Sequence, residues 1–152
     1  MRLVVLMAVS GAGKDHFAAH NMPKANTLAS ADDFFGAPYK FDPAKLGEAH
    51  GTCFRKVIEA LQRGDELIVV NNTNTSLVEI APYMAAAQAY GYEANIISLQ
   101  IDPKIAAARN THGVPLASVE KMAERLSKTL KDLPPWWDIQ NLYWDVERSQ
   151  YR

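Results

Sequence analysis

The chain has 152 residues, of which 48% are hydrophobic and 22% are charged, with 16 Lys and Arg against 17 Asp and Glu. This length predicts a single domain over residues 1–152 with a sizeable core, and is too short for two ordinary domains. A net charge of −1 excludes a general attraction to nucleic-acid phosphates, so a polynucleotide would need a local basic patch. Cys53 is the only cysteine, which excludes an intrachain disulfide and a cysteine-rich zinc site and favours a cytoplasmic protein. The sequence predicts neither a secretion signal nor a membrane partner.

Strand-like and helix-like segments alternate along the chain. Apolar runs predict strands over residues 3–7, 27–29, 67–70 and 95–101. Helical periodicity predicts helices over residues 46–62, 78–90 and 116–131. Such alternation is typical of a parallel sheet with helices on both faces, a three-layer α/β/α fold. The aromatic tail, residues 133–152, is expected to pack back on the domain.

The first predicted strand leads into a glycine-rich turn and then directly into a helix. Glycines let successive backbone N–H groups converge on phosphate oxygens, and a lysine at the helix start reaches the terminal phosphates. The turn therefore predicts a P-loop, with ATP-binding residues Ser10, Gly11, Ala12, Gly13, Lys14 and Asp15. The alternative is a flexible turn that binds nothing.

Two positions depart from the usual Gly-x-x-x-x-Gly-Lys-Ser/Thr pattern of such a loop. Ala8 replaces the first glycine, and Asp15 replaces the hydroxyl residue that ligates Mg²⁺. A carboxylate is a good ligand for Mg²⁺, so Asp15 is predicted to hold the metal directly or through water. Without the metal, the same charge repels the triphosphate.

Asp32 and Asp33 follow the predicted strand over residues 27–29, and ligands of open parallel sheets bind at the carboxyl ends of strands. Phosphoryl transfer to a hydroxyl needs a carboxylate that accepts the hydroxyl proton. We therefore predict Asp32 as the general base and Asp33 as a structural or metal-linked residue. The alternative is that either aspartate caps the next helix.

The strand over residues 67–70 is followed by the polar run Asn71-Asn72-Thr73-Asn74-Thr75, which contains no acid. Asparagines orient water or a substrate hydroxyl but do not act as bases. The run therefore favours a transferase over a water-activating ATPase. A plain turn, with Asn72 or Thr75 capping the next helix, is the alternative.

Arg109 lies where one predicted helix ends and the segment Asn110 to Pro115 leads into another. A guanidinium that closes over a triphosphate stabilises the charge that develops on the transferred group. Arg109 is therefore predicted as a catalytic, ATP-contacting arginine, with His112 and Arg125 as weaker companions. An arginine that only satisfies the helix dipole is the alternative.

Five motifs, taken in order, resemble those of a known group of kinases. They are Ser-Gly-Ala-Gly-Lys at 10–14, Ser-Ala-Asp-Asp-Phe-Phe at 30–35, Ala-His at 49–50 with Arg55, Asn-Asn-Thr-Asn-Thr at 71–75 and Arg-Asn-x-His-Gly-Val-Pro at 109–115. Together they resemble the polynucleotide-kinase-like P-loop kinases, related to NEDD4-binding protein 2 and bacteriophage polynucleotide kinase. The resemblance implies a small parallel sheet wrapped by helices, with an arginine-bearing lid over residues 109–126.

The resemblance also implies roles for individual residues. The family's polynucleotide kinases move the γ-phosphate of ATP to a 5′-hydroxyl of RNA or DNA, using Mg²⁺. Carried over by motif, the phosphate contact falls to Lys14, the general base to Asp32 and the lid to Arg109. Substrate-binding side chains are expected at Asp33, Arg55, Asn72 and Asn74.

Four departures from the family pattern bear on the metal and the acceptor. Asp15 replaces the family's Ser or Thr. Asn72 stands where the phage enzyme has an aspartate, and Phe35 stands where it has an arginine that contacts substrate. His112 lies near the place of a second lid arginine, so this lid is less basic.

The sequence therefore predicts an ATP-dependent, Mg²⁺-requiring kinase that phosphorylates a hydroxyl, with the 5′-hydroxyl of an RNA or DNA end as the favoured acceptor. Near-neutral charge and Phe35 favour a first alternative, a kinase for a small molecule such as a nucleoside or nucleotide. Asp15 supports a second, a nucleotide-binding module without turnover. The sequence leaves open whether the chain forms an oligomer.

Overall fold

The chain folds around one six-stranded sheet, which a computed structural model describes over all residues, 1–152. The strands are β1 (Arg2–Ala8), β2 (Thr27–Ala29), β3 (Leu67–Asn71), β4 (Glu93–Gln100), β5 (Asp138–Asp145) and β6 (Gln150–Tyr151). Their order is β2-β3-β1-β4-β5-β6. The first five run parallel, and β6 pairs antiparallel with β5.

Helices cover both faces of this sheet. They are α1 (Lys14–Asn21), α2 (Leu46–Arg63), α3 (Leu77–Ala89), α4 (Pro103–Arg109) and α5 (Leu116–Asp132), with short 3₁₀ turns at Ala31–Phe35 and Pro43–Lys45. Alternate side chains of β1 enter two hydrophobic clusters, because successive residues of a strand point to opposite faces. Val5 packs with α2 and α3, whereas Leu6 packs with α1 and α4. The predicted three-layer α/β/α fold is confirmed.

The predicted elements compare closely with the structure up to the tail. The strand over 27–29 has the predicted bounds, and the three helices with predicted bounds, now α2, α3 and α5, differ from them by at most one residue at either end. The fourth strand begins at Glu93 and ends at Gln100, where 95–101 was predicted. The tail packs back as expected, but it does so as β5 and β6, which the sequence did not predict. Its polar residues are mixed with Ile139, Leu142 and Trp144 without strict alternation, so the strand period is weak.

None of the five helices combines the length and the hydropathy that crossing a bilayer requires.

The strand register brings the three polar clusters to one edge of the sheet. Leu6 of β1 aligns with Asn71 of β3, and Ala29 of β2 aligns with Val70. The P-loop, the Asp32 segment and the asparagine run therefore leave neighbouring parallel strands at the same carboxyl edge, which is where such sheets bind ligands.

Buried hydrogen bonds to β1 hold the asparagine run at this edge of the sheet. Asn74 is 1% exposed and has a left-handed φ of 50°. Its Nδ2 donates to the carbonyl oxygen of Leu6 at 2.8 Å. The backbone N–H of Ala8 donates to the Thr73 carbonyl oxygen at 2.9 Å. The run is thereby fixed against the end of β1, next to the P-loop.

We expect Asn74→Asp to lower the free energy of unfolding by about 2 kcal/mol, because it removes a buried donor and places a carboxylate oxygen against the Leu6 carbonyl. Urea denaturation measures this loss. Asn26→Asp is the matched control, because Asn26 uses its Oδ1 to accept from the Leu67 N–H and an aspartate keeps that bond. Equal losses in the two variants would contradict the assigned role of Asn74.

Candidate active site

Two glycines give the P-loop its shape and leave room for the residues above it. Gly11 has φ 84° and Gly13 has φ 89°, a left-handed conformation that side chains disfavour. A Cβ at Gly11 would overlap the carbonyl oxygen of Ala106 in α4. A Cβ at Gly13 would lie 2.9 Å from Nη2 of Arg109. Only glycine at these positions allows α4 and Arg109 to lie directly on the loop.

Lys14 begins α1 and lies among carboxylates. Burial lowers the pKa of its ammonium group, while the negative charges of Asp15 and Asp32 act in the opposite direction. The strand register brings the end of β2, which leads to Asp32, to the carboxyl edge where the P-loop lies. Lys14, Asp15 and Asp32, predicted separately from sequence, therefore lie at one edge of the sheet, close enough for their charges to interact.

Asp15 is held from β3. Its Oδ1 accepts a hydrogen bond of 2.5 Å from Nδ2 of Asn71, the last residue of that strand. Asn71 is 4% exposed, and its Oδ1 is buried without a hydrogen-bond partner. Carboxylate and amide oxygens are hard ligands that suit Mg²⁺, so this donor set fits the metal that the sequence predicts. Sequence analysis took Asn72 as the family's acidic position, but the residue in contact with Asp15 is Asn71.

The carboxylate of Asp32 is free of the capping role that was considered for it. The cap of the 3₁₀ turn is Ser30, whose Oγ accepts from the Asp32 N–H at 3.2 Å. The Asp32 Oδ1 instead accepts from the hydroxyl of Tyr39 at 3.2 Å. Asp33 lies 3.9 Å from Nζ of Lys56, an exposed ion pair. Asp32 is thus exposed beside the P-loop, and its only side-chain partner is a hydroxyl.

Like Asp33, the other three predicted substrate-binding side chains have partners within the protein. Asn72 is 7% exposed, and its Oδ1 accepts from the Ala31 N–H at 2.8 Å. Asn74 donates to Leu6 as described above. Arg55 donates to Thr52 on its own helix at 3.2 Å. The amides of Asn72 and Asn74 are buried and hydrogen-bonded within the protein, and they hold the sheet edge together. Their contact with an acceptor stays a prediction. Neither asparagine caps α3, which begins after Ser76.

Arg109 ends α4 and extends over the P-loop. Its Cζ lies 4.4 Å from the centre of the Trp144 ring, a cation–π contact, and it makes no ion pair. One face of the guanidinium therefore rests on β5, while its Nη2 lies beside Gly13. The guanidinium of Arg109 therefore lies against the P-loop, and its role is not limited to balancing the dipole of α4.

The C-terminal strands complete the P-loop, which sequence analysis missed. The hydroxyl of Tyr151 donates to the Ala12 carbonyl oxygen at 2.6 Å. From α4's end, Nδ2 of Asn110 donates to Oγ of Ser10 at 3.0 Å. The aromatic residues of the tail were the only sign in the sequence that it contributes to the site. Which ring contacts the P-loop is seen only in the folded structure.

An aromatic cluster lies beside Asp32. It is formed by Phe34, Phe35, Tyr39 and Phe41, with the His112 ring 4.3 Å from that of Tyr39. Tyr39 and Phe41 are nearly parallel, and both are more than a third exposed. Burial and the charge of Asp32 raise the pKa of Tyr39 to about 12, so its hydroxyl stays protonated and donates. The segment after Arg109 thus meets the segment after Asp32.

The sequence profile of the AAA domain family AAA_33 matches residues 3–128. The chain belongs to this family. Human NEDD4-binding protein 2 is 32% identical over 137 residues, which are 83% of this chain but only 8% of that relative. The resemblance drawn from the motifs is confirmed.

Solved structures share the fold. A chain of the Pnkp1/Rnl/Hen1 RNA repair complex superposes with a TM-score of 0.72 at 18% identity, covering 88% of this chain and 46% of that one. Shikimate kinase from Bacteroides thetaiotaomicron superposes with a TM-score of 0.60 at 10% identity, covering 92% and 86%. At such identities the likeness establishes a P-loop kinase-like α/β fold, and the acceptor has to be argued from the site.

We expect Trp144→Leu to lower kcat for phosphoryl transfer by about 3-fold to 30-fold, because the cation–π contact that holds Arg109 is lost while an apolar side chain remains. The KM for ATP should change less. Steady-state kinetics measures both. Trp136→Leu is the control, since Trp136 belongs to the same tail and is 79% exposed. Equal kinetics in the two variants would contradict the role of Trp144.

Proposed function

We propose that the protein is an ATP-dependent, Mg²⁺-requiring kinase that transfers the γ-phosphoryl group to a hydroxyl, with the 5′-hydroxyl of an RNA or DNA end as the favoured acceptor. The supporting observation is the placement of a lysine, a free carboxylate and an arginine around one P-loop. Lys14, Asp32 and Arg109 come from three different segments, and each has the chemistry that this reaction uses.

Each of these side chains has one task in the proposed reaction. Lys14 binds the β- and γ-phosphates, and Arg109 stabilises the charge on the γ-phosphoryl group as it leaves ADP. Asp32 accepts the proton of the acceptor hydroxyl as that oxygen bonds to phosphorus. Asp15 would hold Mg²⁺, which neutralises phosphate charge when bound. The absence of an acid from the asparagine run fits a transferase, because no base stands ready there for water.

The choice of a polynucleotide acceptor is supported by the relatives. NEDD4-binding protein 2 matches most of this chain, and the structural neighbour with the TM-score of 0.72 belongs to an RNA repair complex. Asp33 and Arg55 remain proposed substrate contacts, and residues 109–126 remain the proposed lid. The single cysteine fits a reducing cytoplasm.

The surroundings of Asp32 favour a second candidate, a kinase for a small ring-bearing acceptor. Exposed rings of Phe34, Tyr39 and Phe41 line this region. The nearby cation Lys56 is paired with Asp33. A site with rings and few free cations suits a nucleoside better than a long polyanion.

We expect Asp32→Asn to lower kcat by at least about 100-fold, while ATP affinity stays within about threefold, because the amide keeps the shape but accepts no proton. Transfer of labelled γ-phosphate and titration calorimetry measure the two quantities. Lys14→Ala should instead lose nucleotide binding. Transfer retained by Asp32→Asn would contradict the base assignment.

The same transfer assay identifies the acceptor when RNA and DNA 5′-hydroxyl oligonucleotides are offered beside nucleosides and mononucleotides. An oligonucleotide KM that rises steeply with salt supports the first proposal, since phosphate contacts release counterions. Label on a nucleoside with little salt dependence supports the second. Nucleotide binding without transfer to any acceptor contradicts both.

We expect Tyr39→Phe to lower the acceptor KM by about fivefold, because the acceptor hydroxyl then no longer displaces the tyrosine hydroxyl from Asp32. Initial rates at saturating ATP measure this change. Tyr90→Phe is the control, an exposed tyrosine that follows α3. An unchanged or higher acceptor KM would show that Tyr39 does not occupy the acceptor's place.

A further inference from the structure

We propose that Asp15 and Asn71 are an exchanged pair, in which the metal-binding carboxylate stands on α1 and the neutral partner on β3. Asn71 is then a positioning residue that aims Asp15 at Mg²⁺. The proposal rests on the proposed nucleotide site, and it goes beyond it by assigning a role to Asn71 and a reason for the unusual Asp15.

The exchange is seen when Asp15 and Asn71 are compared with the usual residues at these two places. P-loop NTPases hold Mg²⁺ with the Ser or Thr that follows the P-loop lysine and with an aspartate on a neighbouring strand. Here the residue after Lys14 is an aspartate, and the strand residue that meets it is an asparagine. Both arrangements contain one carboxylate and one neutral polar group. Their places on α1 and β3 are reversed.

The hydrogen bond between them has only one workable polarity. An ionised carboxylate only accepts, so the amide must present Nδ2 to Asp15, as it does at 2.5 Å. This bond occupies Oδ1 of Asp15 and leaves Oδ2 without a hydrogen bond or an ion pair. Asp15 therefore keeps one oxygen free, in an orientation fixed from β3.

The second observation is the unpaired oxygen of Asn71. Its Oδ1 is buried and accepts no hydrogen bond, in a residue that is 4% exposed. A buried acceptor without a partner is unfavourable, so such atoms are rare in folded proteins. A water bound to Mg²⁺ is a strong donor and would satisfy this oxygen. The orphaned oxygen of Asn71 and the free oxygen of Asp15 belong to the same hydrogen-bonded pair, so both support a ligand at this pair.

The experiment compares how Mg²⁺ changes nucleotide affinity in four variants of the full chain. Calorimetry gives the Kd of a non-hydrolysable ATP analogue in EDTA and in Mg²⁺, and their ratio is the metal effect. Asp15→Thr and Asn71→Asp are measured singly and together, with Asn71→Ala as the fourth variant. Thermal unfolding confirms that each variant is folded.

The exchanged pair makes specific predictions for the ratio. Asp15→Thr should reduce the metal effect at least about tenfold, because no carboxylate remains in the pair. Asn71→Asp alone should be impaired, because two carboxylates then face each other. The double variant restores one carboxylate and one neutral group, so its metal effect should return to within about threefold of the original. Asn71→Ala should weaken the metal effect about tenfold, with little change of affinity in EDTA.

Other outcomes overturn the proposal. If the double variant loses as much of the metal effect as the two single variants together, the two positions do not exchange. An Asn71→Ala variant that loses affinity equally in EDTA and Mg²⁺ shows a purely structural asparagine. No effect of Mg²⁺ on the unaltered chain also overturns the pair. A restored metal effect in a chain that phosphorylates no hydroxyl would instead support the pair and reject the kinase function.

Discussion

The close packing of α4 on the P-loop is the constraint on which the candidate site depends. Gly11 and Gly13 combine a left-handed backbone with the absence of a side chain, so the Ala106 carbonyl and the Arg109 guanidinium approach the loop directly. A side chain at Gly11 would overlap the α4 backbone, and one at Gly13 would lie against the Arg109 guanidinium. In the proposed site, the same glycines therefore serve both the binding of phosphate and the approach of the arginine.

The C-terminal strands extend this constraint to the end of the chain. The Tyr151 hydroxyl donates to the Ala12 carbonyl oxygen, and the Trp144 ring contacts the Arg109 guanidinium. The C-terminal edge of the sheet therefore borders the site. β5 pairs with β4 over residues 138–143, and Trp144 lies just beyond that ladder, paired with Tyr151 of β6. The C-terminal tail therefore forms part of the candidate active site, even though it carries none of the predicted catalytic groups.

Both positively and negatively charged side chains surround the P-loop. Burial lowers the pKa of Lys14, and the carboxylates of Asp15 and Asp32 act against that lowering. The Arg109 charge stays unpaired and rests on an aromatic ring. In the proposed site, an entering triphosphate meets Lys14 and Arg109. Asp32 makes no ion pair with either cation, and its one side-chain hydrogen bond comes from Tyr39, so its carboxylate stays available as the proposed base.

Local patterns predicted most of the fold and suggested Lys14, Asp32 and Arg109 as site residues. Periodicity and turn chemistry are enough to recognise the strand, glycine and lysine order around Lys14, because neighbouring residues carry that signal. The same holds for the segment after Arg109, which contains Gly113 and Pro115. Asn71, Trp144 and Tyr151 were missed because their roles depend on contacts between distant segments, such as Tyr151 with Ala12. The burial of Asn72 and Asn74 was not predicted, because composition does not distinguish an exposed amide from a buried one. β5 was missed because its polar residues hide the strand period.

A crystal structure of the chain with Mg²⁺ and a non-hydrolysable ATP analogue tests the proposed site most directly. We predict that the γ-phosphate lies within about 3 Å of the Lys14 ammonium and the Arg109 guanidinium, with Asp32 facing the open side of that phosphate. A triphosphate bound away from the glycine turn, or an Asp32 turned away from the γ-phosphate, would contradict it.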